Sequence, residues 1–219
     1  MSPAAAVLAT VVPAYLLGSL PWGLWIGRAR GMDVRQHGSG NLGATNVYRL
    51  LGPGLGILVL VLDAAKGAAA VWWGRQGMGA AAFPGGAEWS AVVAGVVAIL
   101  GHMLTVFAGF KGGRGVATTI GVFLALAPWA MLLGLGAFVV AFAITRRVSI
   151  GSLALAAVYP AGILLTVAGP SRTRLFVLGL VISALIVYRH LPNLRRLARG
   201  EEEPLDLRGS REAQGPKRG

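Results

Sequence analysis

The sequence predicts an all-α integral membrane protein. The chain is 55% hydrophobic and only 13% charged, whereas a soluble domain carries about 25% charged residues. Its mean hydropathy is +0.68, and apolar runs long enough to cross a bilayer recur along it. These runs do not alternate apolar and polar residues, which argues against a transmembrane β-barrel.

The apolar runs predict seven transmembrane helices. The predicted spans are 4–27, 55–74, 88–109, 116–130, 131–145, 150–168 and 174–190. The first run lacks a basic segment before it and is longer than a signal-peptide core, so we interpret it as a retained span. The region 116–145 is ambiguous, because it is too long for one crossing and short for two crossings of roughly 20 residues each.

Charge decides between one and two crossings in that region. With two, 16 of the 20 Lys and Arg residues lie on one face of the membrane, three lie on the other, and Lys66 lies within a span. The positive-inside rule favours this arrangement, which puts the N-terminus outside and the C-terminus in the cytoplasm. The formal charge of +12 is therefore a topology signal, and we expect no nucleic-acid partner. The chain has no cysteine, which excludes disulfides and Cys-ligated metals.

This topology brings three polar clusters to the cytoplasmic face, and the first reads GSGNLGATNVYRLLG over residues 38–52. Glycine allows positive φ and a close approach of a ligand to the backbone. The Ser, Thr and Asn side chains add hydrogen bonds, and Arg49 can hold a phosphate through two parallel hydrogen bonds. Taken alone, the cluster fits an anion site and a flexible connecting loop equally well.

The second cluster, FKGGRGVATT over residues 110–119, stands where a helix is predicted to begin. Backbone N–H groups and the helix dipole favour anions at such a position. It is not a Walker A loop, because the GxxxxGK[ST] spacing and a preceding strand are missing. A plain cytoplasmic loop with topological charge is the alternative, but two glycine-and-cation loops on one face favour a shared phosphate site.

The third cluster, YRHLPNLRRLARGE over residues 188–201, contains His190 and Asn193. A histidine at the interface can donate, accept or relay a proton near neutral pH. The later arginines are typical of a segment attracted to anionic lipid. Ser149, at the same face, can add a hydroxyl group to the site.

Two charged residues stand within the second span. Asp63 and Lys66 are one helical turn apart, so they can pair on one face, and an unpaired charge there would be costly. We expect a structural or orienting role for this pair. His102, inside the third span, is interpreted as a hydrogen-bonded packing residue.

The residue types of the clusters limit the chemistry. Carboxylates are nearly absent from them, which argues against Mg²⁺-dependent phosphoryl transfer. The sequence has no HExxH motif for zinc and no Gly-x-Ser-x-Gly nucleophile elbow. We therefore expect neither a metal nor a cofactor. Attack of a substrate hydroxyl on an acyl group that carries its own leaving group would fit these residues.

The three clusters together resemble the signature loops of a known family. SGNLGATN with Arg49, KGGRGVATT and RHLPNLRRLARGEE resemble the bacterial acyl-phosphate:glycerol-3-phosphate acyltransferases of the PlsY type, and DAAKG at 63–67 resembles that family's second span. The match covers nearly the whole chain in order and spacing. Arg114 stands where the family often has Lys, and the tail after Glu203 lies outside the resemblance.

The resemblance implies a multi-pass enzyme of the bacterial inner membrane with its active site at the cytoplasmic face. Such enzymes transfer a fatty acyl group from acyl-phosphate to the sn-1 hydroxyl of glycerol 3-phosphate, giving lysophosphatidic acid and inorganic phosphate for phospholipid biosynthesis. It leaves room for association with an enzyme that produces acyl-phosphate. Residues 1–200 would form the seven-span acyltransferase domain, and 201–219 a disordered, charged cytoplasmic tail.

Site roles follow from the resemblance residue by residue. Glycerol 3-phosphate would be held by Arg49, Lys111, Ser149, His190 and Asn193. The acyl-phosphate head would be held by Gly40, Asn41, Gly43, Thr45 and Asn46 together with Lys111. The phosphate loop would comprise Gly112, Gly113 and Arg114. Ser39 and His190 would orient the attacking hydroxyl, so the expected catalytic residues are Ser39, Lys111 and His190.

A transporter or channel for a small phosphorylated anion is the main alternative. Transporters place their substrate near the midplane, often between inverted repeats. Here the polar loops gather at one face and no such repeat is evident, so the sequence favours the enzyme.

Overall fold

A computed structural model of the chain describes residues 1–207. Within this range the backbone forms helices and turns but no strand, which confirms the all-helical class. The α-helices are α1 Pro3–Ser19, α2 Trp22–Ala29, α3 Ala44–Leu51, α4 Pro53–Gln76, α5 Gly86–Met103, α6 Val116–Leu126, α7 Pro128–Thr145, α8 Val148–Thr166, α9 Ser171–Arg189 and α10 Leu191–Ala198. A 3₁₀ turn, Val106–Ala108, follows α5.

Six segments of the described chain are long and apolar enough to cross a membrane. They are Pro3–Ala29, Pro53–Gln76, Gly86–Ala108, Pro128–Thr145, Val148–Thr166 and Ser171–Arg189. The first takes in α1 and α2, and the third takes in α5 and the 3₁₀ turn. The chain is therefore a multi-pass integral membrane protein.

The predicted span 116–130 is not among these six; it corresponds to α6, which has 11 residues. At 1.5 Å per residue it is about 16 Å long, against a hydrocarbon core of roughly 30 Å. It ends at Leu126, and Pro128 begins α7, because a proline lacks an N–H group and is tolerated at the first position of a helix. By length alone, α6 does not span a bilayer.

The first predicted span, 4–27, is not one continuous helix. Leu20 leaves the helical conformation (φ −57°, ψ 111°), because the residue before a proline is disfavoured in the α region. Two side chains from later parts of the chain, Thr105 just after α5 and Lys66 in α4, satisfy the carbonyls that the break releases. Thr105 donates to the Ser19 carbonyl, and Lys66 Nζ donates to the Leu20 carbonyl at 2.8 Å.

Helix α6 packs closely against α4 through glycines. A Cβ on Gly121 would overlap the Ala64 carbonyl, and one on Gly67 would overlap the Thr118 carbonyl. Small residues let helix backbones approach in this way in membrane proteins. Phe123 of α6 is fully buried in the main apolar core. The short helix is therefore held inside the bundle, and its N-terminus begins within the protein.

The C-terminal segment 201–207 packs onto the helices. Glu202 and Leu205 are buried. The Leu205 N–H donates to the Arg146 carbonyl at 2.7 Å, and Arg147 Nε donates to the Glu202 carbonyl at 2.8 Å. Disorder is predicted from residue 201, whereas residues 201–207 make these contacts, which compensate for ordering the backbone. The rest of the predicted tail, 208–219, lies outside the described residues.

Candidate active site

A cavity of about 330 Å³ lies where the three polar clusters meet. Its polar lining includes Ser39, Asn41, Thr45, Asn46, Arg49, Asp63, His102, Arg114, Ser149, His190, Asn193, Arg196 and Glu202. Its apolar lining includes Ile57, Leu60, Val116, Ile120, Leu135, Phe138, Phe142 and Leu205. One cavity can therefore receive a molecule with a polar head and an apolar chain.

Two helix N-termini point at this cavity. Gly43 precedes α3 and Gly115 precedes α6, and both glycines line the cavity. The first N–H groups of a helix have no partner within it, and the dipole makes that end positive. The cavity is thus suited to anionic groups from two sides.

The side chain of Asn46 organises the first loop. It is buried, and its Nδ2 donates to the carbonyls of Val34 and His37 at 2.9 and 3.2 Å. Its Oδ1 accepts from the Ser39 N–H at 2.9 Å. In a similar way, Asn41 Oδ1 accepts from the Gly43 N–H at 2.8 Å. These hydrogen bonds fix the loop that brings Ser39 to the cavity.

The glycines of the second loop do not offer their amides to the cavity. The N–H groups of Gly112 and Gly113 donate to the carbonyls of Met103 and His102, each at 3.1 Å. Neither glycine lines the cavity among the described residues. These two N–H groups are therefore not available to a phosphate in this arrangement, and the role of the two glycines in a phosphate loop stays a prediction. Both N–H groups are used to satisfy carbonyls at the end of α5.

The cation of the second loop that reaches the cavity is Arg114. Its pKa is lowered to about 10, first by burial and then by the nearby Arg196, Arg49 and Arg189, while Glu202 opposes this shift. Even so it is charged at neutral pH. Several cations in one partly buried place attract an anion strongly. Lys111, in contrast, is exposed and does not line the cavity of the described chain.

His190 lies at the end of α9, almost fully buried at 1% exposure. Its Nδ1 lies 2.8 Å from the Ile186 carbonyl. A carbonyl only accepts, so Nδ1 carries the proton and Nε2 has the lone pair. Burial is the main cause that lowers the pKa of His190 to about 4. The ring is therefore neutral at pH 7, with an acceptor nitrogen.

Three neighbouring polar groups keep free hydrogen-bonding capacity. Ser149 Oγ, Asn193 Oδ1 and Glu202 Oε2 are buried and have no hydrogen-bond partner within the described residues. All three residues line the cavity. Asn193 Nδ2 donates to Glu202 Oε1 at 2.8 Å, which fixes the amide. Since unpaired buried polar atoms are costly, these groups mark where a polar ligand can bind.

The charged pair within the second span is confirmed and extended by a third residue. Lys66 Nζ lies 2.7 Å from Asp63 Oδ1, and His102 Nδ1 lies 3.5 Å from the same oxygen. All three side chains are buried. His102 also packs on the second loop, because a Cβ on Gly113 would overlap its ring. The cluster thus connects α4, α5 and the loop that leads to Arg114.

The sequence-predicted site residues divide into two groups. Those that line the cavity are Ser39, Asn41, Gly43, Thr45, Asn46, Arg49, Asp63, Arg114, Ser149, His190 and Asn193. Those that do not line it are Gly40, Lys66, Lys111, Gly112 and Gly113.

Sequence reasoning missed Glu202 and the place of His102. Glu202 stands between two other glutamates in a charged stretch, so no pattern separates it from a solvated tail. His102 stands eight residues before the second cluster, which its ring touches. Its position at the end of a span beside that cluster was the available signal.

Replacing Asp63 tests the buried charge cluster. In Asp63→Asn the Lys66 ammonium loses its partner while it stays buried, which costs about 3–5 kcal/mol for a broken buried pair. We expect a lower yield of folded protein and a lower unfolding temperature in detergent, measured by size exclusion and thermal denaturation. The double variant D63N/K66M should recover much of the loss. Normal stability of the Asp63→Asn protein would contradict the structural role. It would indicate instead that Asp63 interacts with the molecule bound in the cavity.

Comparison with known proteins identifies the family. A family model described as Glycerol-3-phosphate acyltransferase matches residues 8–200. A glycerol-3-phosphate acyltransferase of Anaeromyxobacter dehalogenans (strain 2CP-1 / ATCC BAA-258) is 48% identical over 204 residues, which cover 93% of this chain and 99% of that protein. One of Geobacter sulfurreducens is 46% identical over 190 residues, covering 86% of this chain and 92% of that protein.

Solved structures agree with this assignment. The crystal structure of PlsY, an integral membrane glycerol 3-phosphate acyltransferase, superimposes in its glycerol 3-phosphate form with a TM-score of 0.80 and 37% identity, covering 91% of this chain and 96% of that one. Its lysophosphatidic acid form gives a TM-score of 0.78 and 36% identity, covering 91% and 95%. The family model, which matches most of the chain, and these relatives show that the chain belongs to the glycerol-3-phosphate acyltransferase family of integral membrane enzymes.

Proposed function

We propose that the protein transfers a fatty acyl group from acyl-phosphate to the sn-1 hydroxyl of glycerol 3-phosphate, without a metal ion. The products are lysophosphatidic acid and inorganic phosphate. The observation that carries this proposal is the cavity of about 330 Å³ in which two helix N-termini and several arginines adjoin an apolar wall. Two phosphate-bearing substrates, one with a long acyl chain, can meet there.

The phosphate of glycerol 3-phosphate binds at the end of the cavity formed by Arg49, Ser149, His190 and Asn193. The free Ser149 Oγ and Asn193 Oδ1 suit the hydroxyl groups of glycerol 3-phosphate, since Oγ can donate or accept and Oδ1 accepts. Arg49 Nη2 donates to the Glu203 carbonyl at 3.0 Å, which holds the guanidinium at the cavity wall. The polar end of the cavity thus binds both the charged phosphate and the hydroxyl groups of glycerol 3-phosphate.

The acyl-phosphate lies between the two helix N-termini. Its phosphate takes hydrogen bonds from the first N–H groups of α3 and α6 and from Arg114, with Asn41 and Thr45 beside it. Its acyl chain lies along the apolar wall, among Ile57, Leu60, Ile120, Leu135 and Phe138. The separation of the cavity into a polar end and an apolar wall therefore sets the orientation in which acyl-phosphate binds.

The reaction is one direct acyl transfer. The substrate hydroxyl oxygen forms a bond to the acyl carbon, the bond from that carbon to the phosphate oxygen breaks, and inorganic phosphate leaves with the proton. Ser39 and the acceptor Nε2 of neutral His190 orient the hydroxyl. The positive groups stabilise the charge that collects on the leaving phosphate. No enzyme nucleophile is needed, because the donor already carries a good leaving group.

The deciding experiment follows both products with purified protein in detergent. Palmitoyl phosphate and glycerol 3-phosphate are supplied with a chelator, and each is omitted in turn. We expect phosphate and lysophosphatidic acid in equal amounts, only when both substrates are present. Product from palmitoyl-CoA but not from palmitoyl phosphate would overturn the donor assignment. Loss of turnover with the chelator would overturn metal independence.

The two cations of the second loop can be compared directly. Arg114 lines the cavity and Lys111 is exposed, so Arg114→Met should lower kcat/KM about 10- to 100-fold, as expected for lost hydrogen bonds to a charged group. Lys111→Met removes the same charge from the same loop and should cost less. A larger loss in Lys111→Met would show that Lys111 is the phosphate-binding cation.

We propose that the chain crosses the bacterial inner membrane seven times, with the cavity at the cytoplasmic face. Under this proposal α6 and α7 make two crossings together, and the N-terminus lies outside. The excess of Lys and Arg in the loops that meet at the cavity supports this orientation.

Single cysteines can test the topology, because the chain has none of its own. Met78 and Ser171 are exposed on the loop before α5 and at the start of α9. In spheroplasts, an impermeant maleimide should label Met78→Cys and Ser171→Cys, and should label the control Arg199→Cys only after permeabilisation. Labelling of Met78→Cys with protection of Ser171→Cys would mean that 116–145 crosses once.

A further inference from the structure

Arg189 makes the contacts that complete the second loop. Its Nη2 donates to the carbonyls of Gly112 and Gly113 at 2.9 and 2.8 Å. The N–H groups of the same two glycines already donate to carbonyls at the end of α5. The peptide between Gly112 and Gly113 is therefore held at both its carbonyl and its N–H, and the peptides on either side of it are held at one group each.

The residue that follows the clamped peptides is Arg114. With the Gly113 carbonyl held by Arg189, the plane of the next peptide, which contains the Arg114 N–H, is also set. That peptide begins the turn into α6, where Gly115 takes a left-handed conformation (φ 86°). The direction in which the Arg114 side chain leaves the backbone is thus fixed toward the cavity that it lines.

Arg189 itself does not line the cavity formed by the described residues. It is the last residue of α9, directly before His190. One guanidinium therefore connects the helix that carries the buried histidine to the loop that carries the cavity's arginine. A side chain in this place does not touch a ligand in the cavity; it acts through its charge and through the residues it holds.

We propose that Arg189 is a positioning residue for acyl transfer, which acts by holding the Gly112–Gly113 peptides so that Arg114 faces the substrate phosphate. This inference rests on the proposed function. Positioning groups matter because a displacement of about 1 Å from the productive geometry can cost about 100-fold in rate. The effect of Arg189 must then depend on the presence of Arg114.

A double-mutant cycle tests that dependence. Arg189→Met is made in the natural chain and in Arg114→Met, and kcat and KM are measured for both substrates. We expect a loss in kcat/KM of about 10- to 100-fold in the first background and less than about twofold in the second, because residues that act as a unit are not additive. Arg189→Lys keeps a donor and the charge, and should recover part of the loss.

Two controls separate positioning from other effects. Arg199→Met removes an equal charge from an exposed position near the same end of the chain and should leave kcat/KM unchanged. The unfolding temperature of each variant in detergent reports its fold. Equal losses from Arg189→Met in the two backgrounds would overturn the proposal, because they would mean that Arg189 acts independently of Arg114.

A measurement of phosphate binding tests the positioning role of Arg189 independently of acyl transfer. The rise in unfolding temperature with added inorganic phosphate is measured for the same four proteins of the cycle. We expect Arg189→Met to reduce this rise only when Arg114 is present, even if the acyl donor proves to be different. An undiminished rise in Arg189→Met would refute the positioning role, whereas absence of acyl transfer in the natural chain would refute only the proposed function.

Discussion

The structure depends on a buried ion pair within its membrane-spanning helices, where neither charge can be left without its partner. Lys66 and Asp63 lie 2.7 Å apart, and an isolated charge at this depth would be strongly unfavourable. The ammonium of Lys66 also binds the Leu20 carbonyl, which the proline-induced break exposes. The pair therefore holds the irregular part of the first span in place.

The same pair reaches the active site through His102. The ring of His102 lies against Asp63 on one side and against the second loop on the other. The second loop is further held by carbonyls at the end of α5 and by Arg189. A glycine-rich loop, flexible by composition, thus becomes rigid through tertiary contacts, and its arginine takes one position in the cavity.

The cavity is closed by residues 201–207, part of the tail for which composition predicts disorder. Glu202 fixes Asn193 through one carboxylate oxygen, and Leu205 adds an apolar side chain to the wall. The site is therefore assembled from segments spread between Ser39 and Leu207, including most of the helices. An arrangement of this kind suits a reaction between a water-soluble and a lipid-like substrate, because polar and apolar walls must adjoin within a few ångströms.

By itself, the sequence determined the helical membrane class and the three polar clusters. The thickness of the bilayer and the need to satisfy backbone hydrogen bonds restrict the structures that an apolar chain can form. Short segments that combine glycine with Arg and Asn side chains indicate phosphate binding from local sequence. It also predicted the Asp63–Lys66 pair, because residues three apart share a helix face. The tertiary structure alone decided which groups face the cavity. It directed the amides of Gly112 and Gly113 to α5, brought Arg114 inward, left Lys111 exposed and packed Glu202 beside Asn193. These outcomes depend on contacts between residues far apart in the chain, which no local pattern encodes.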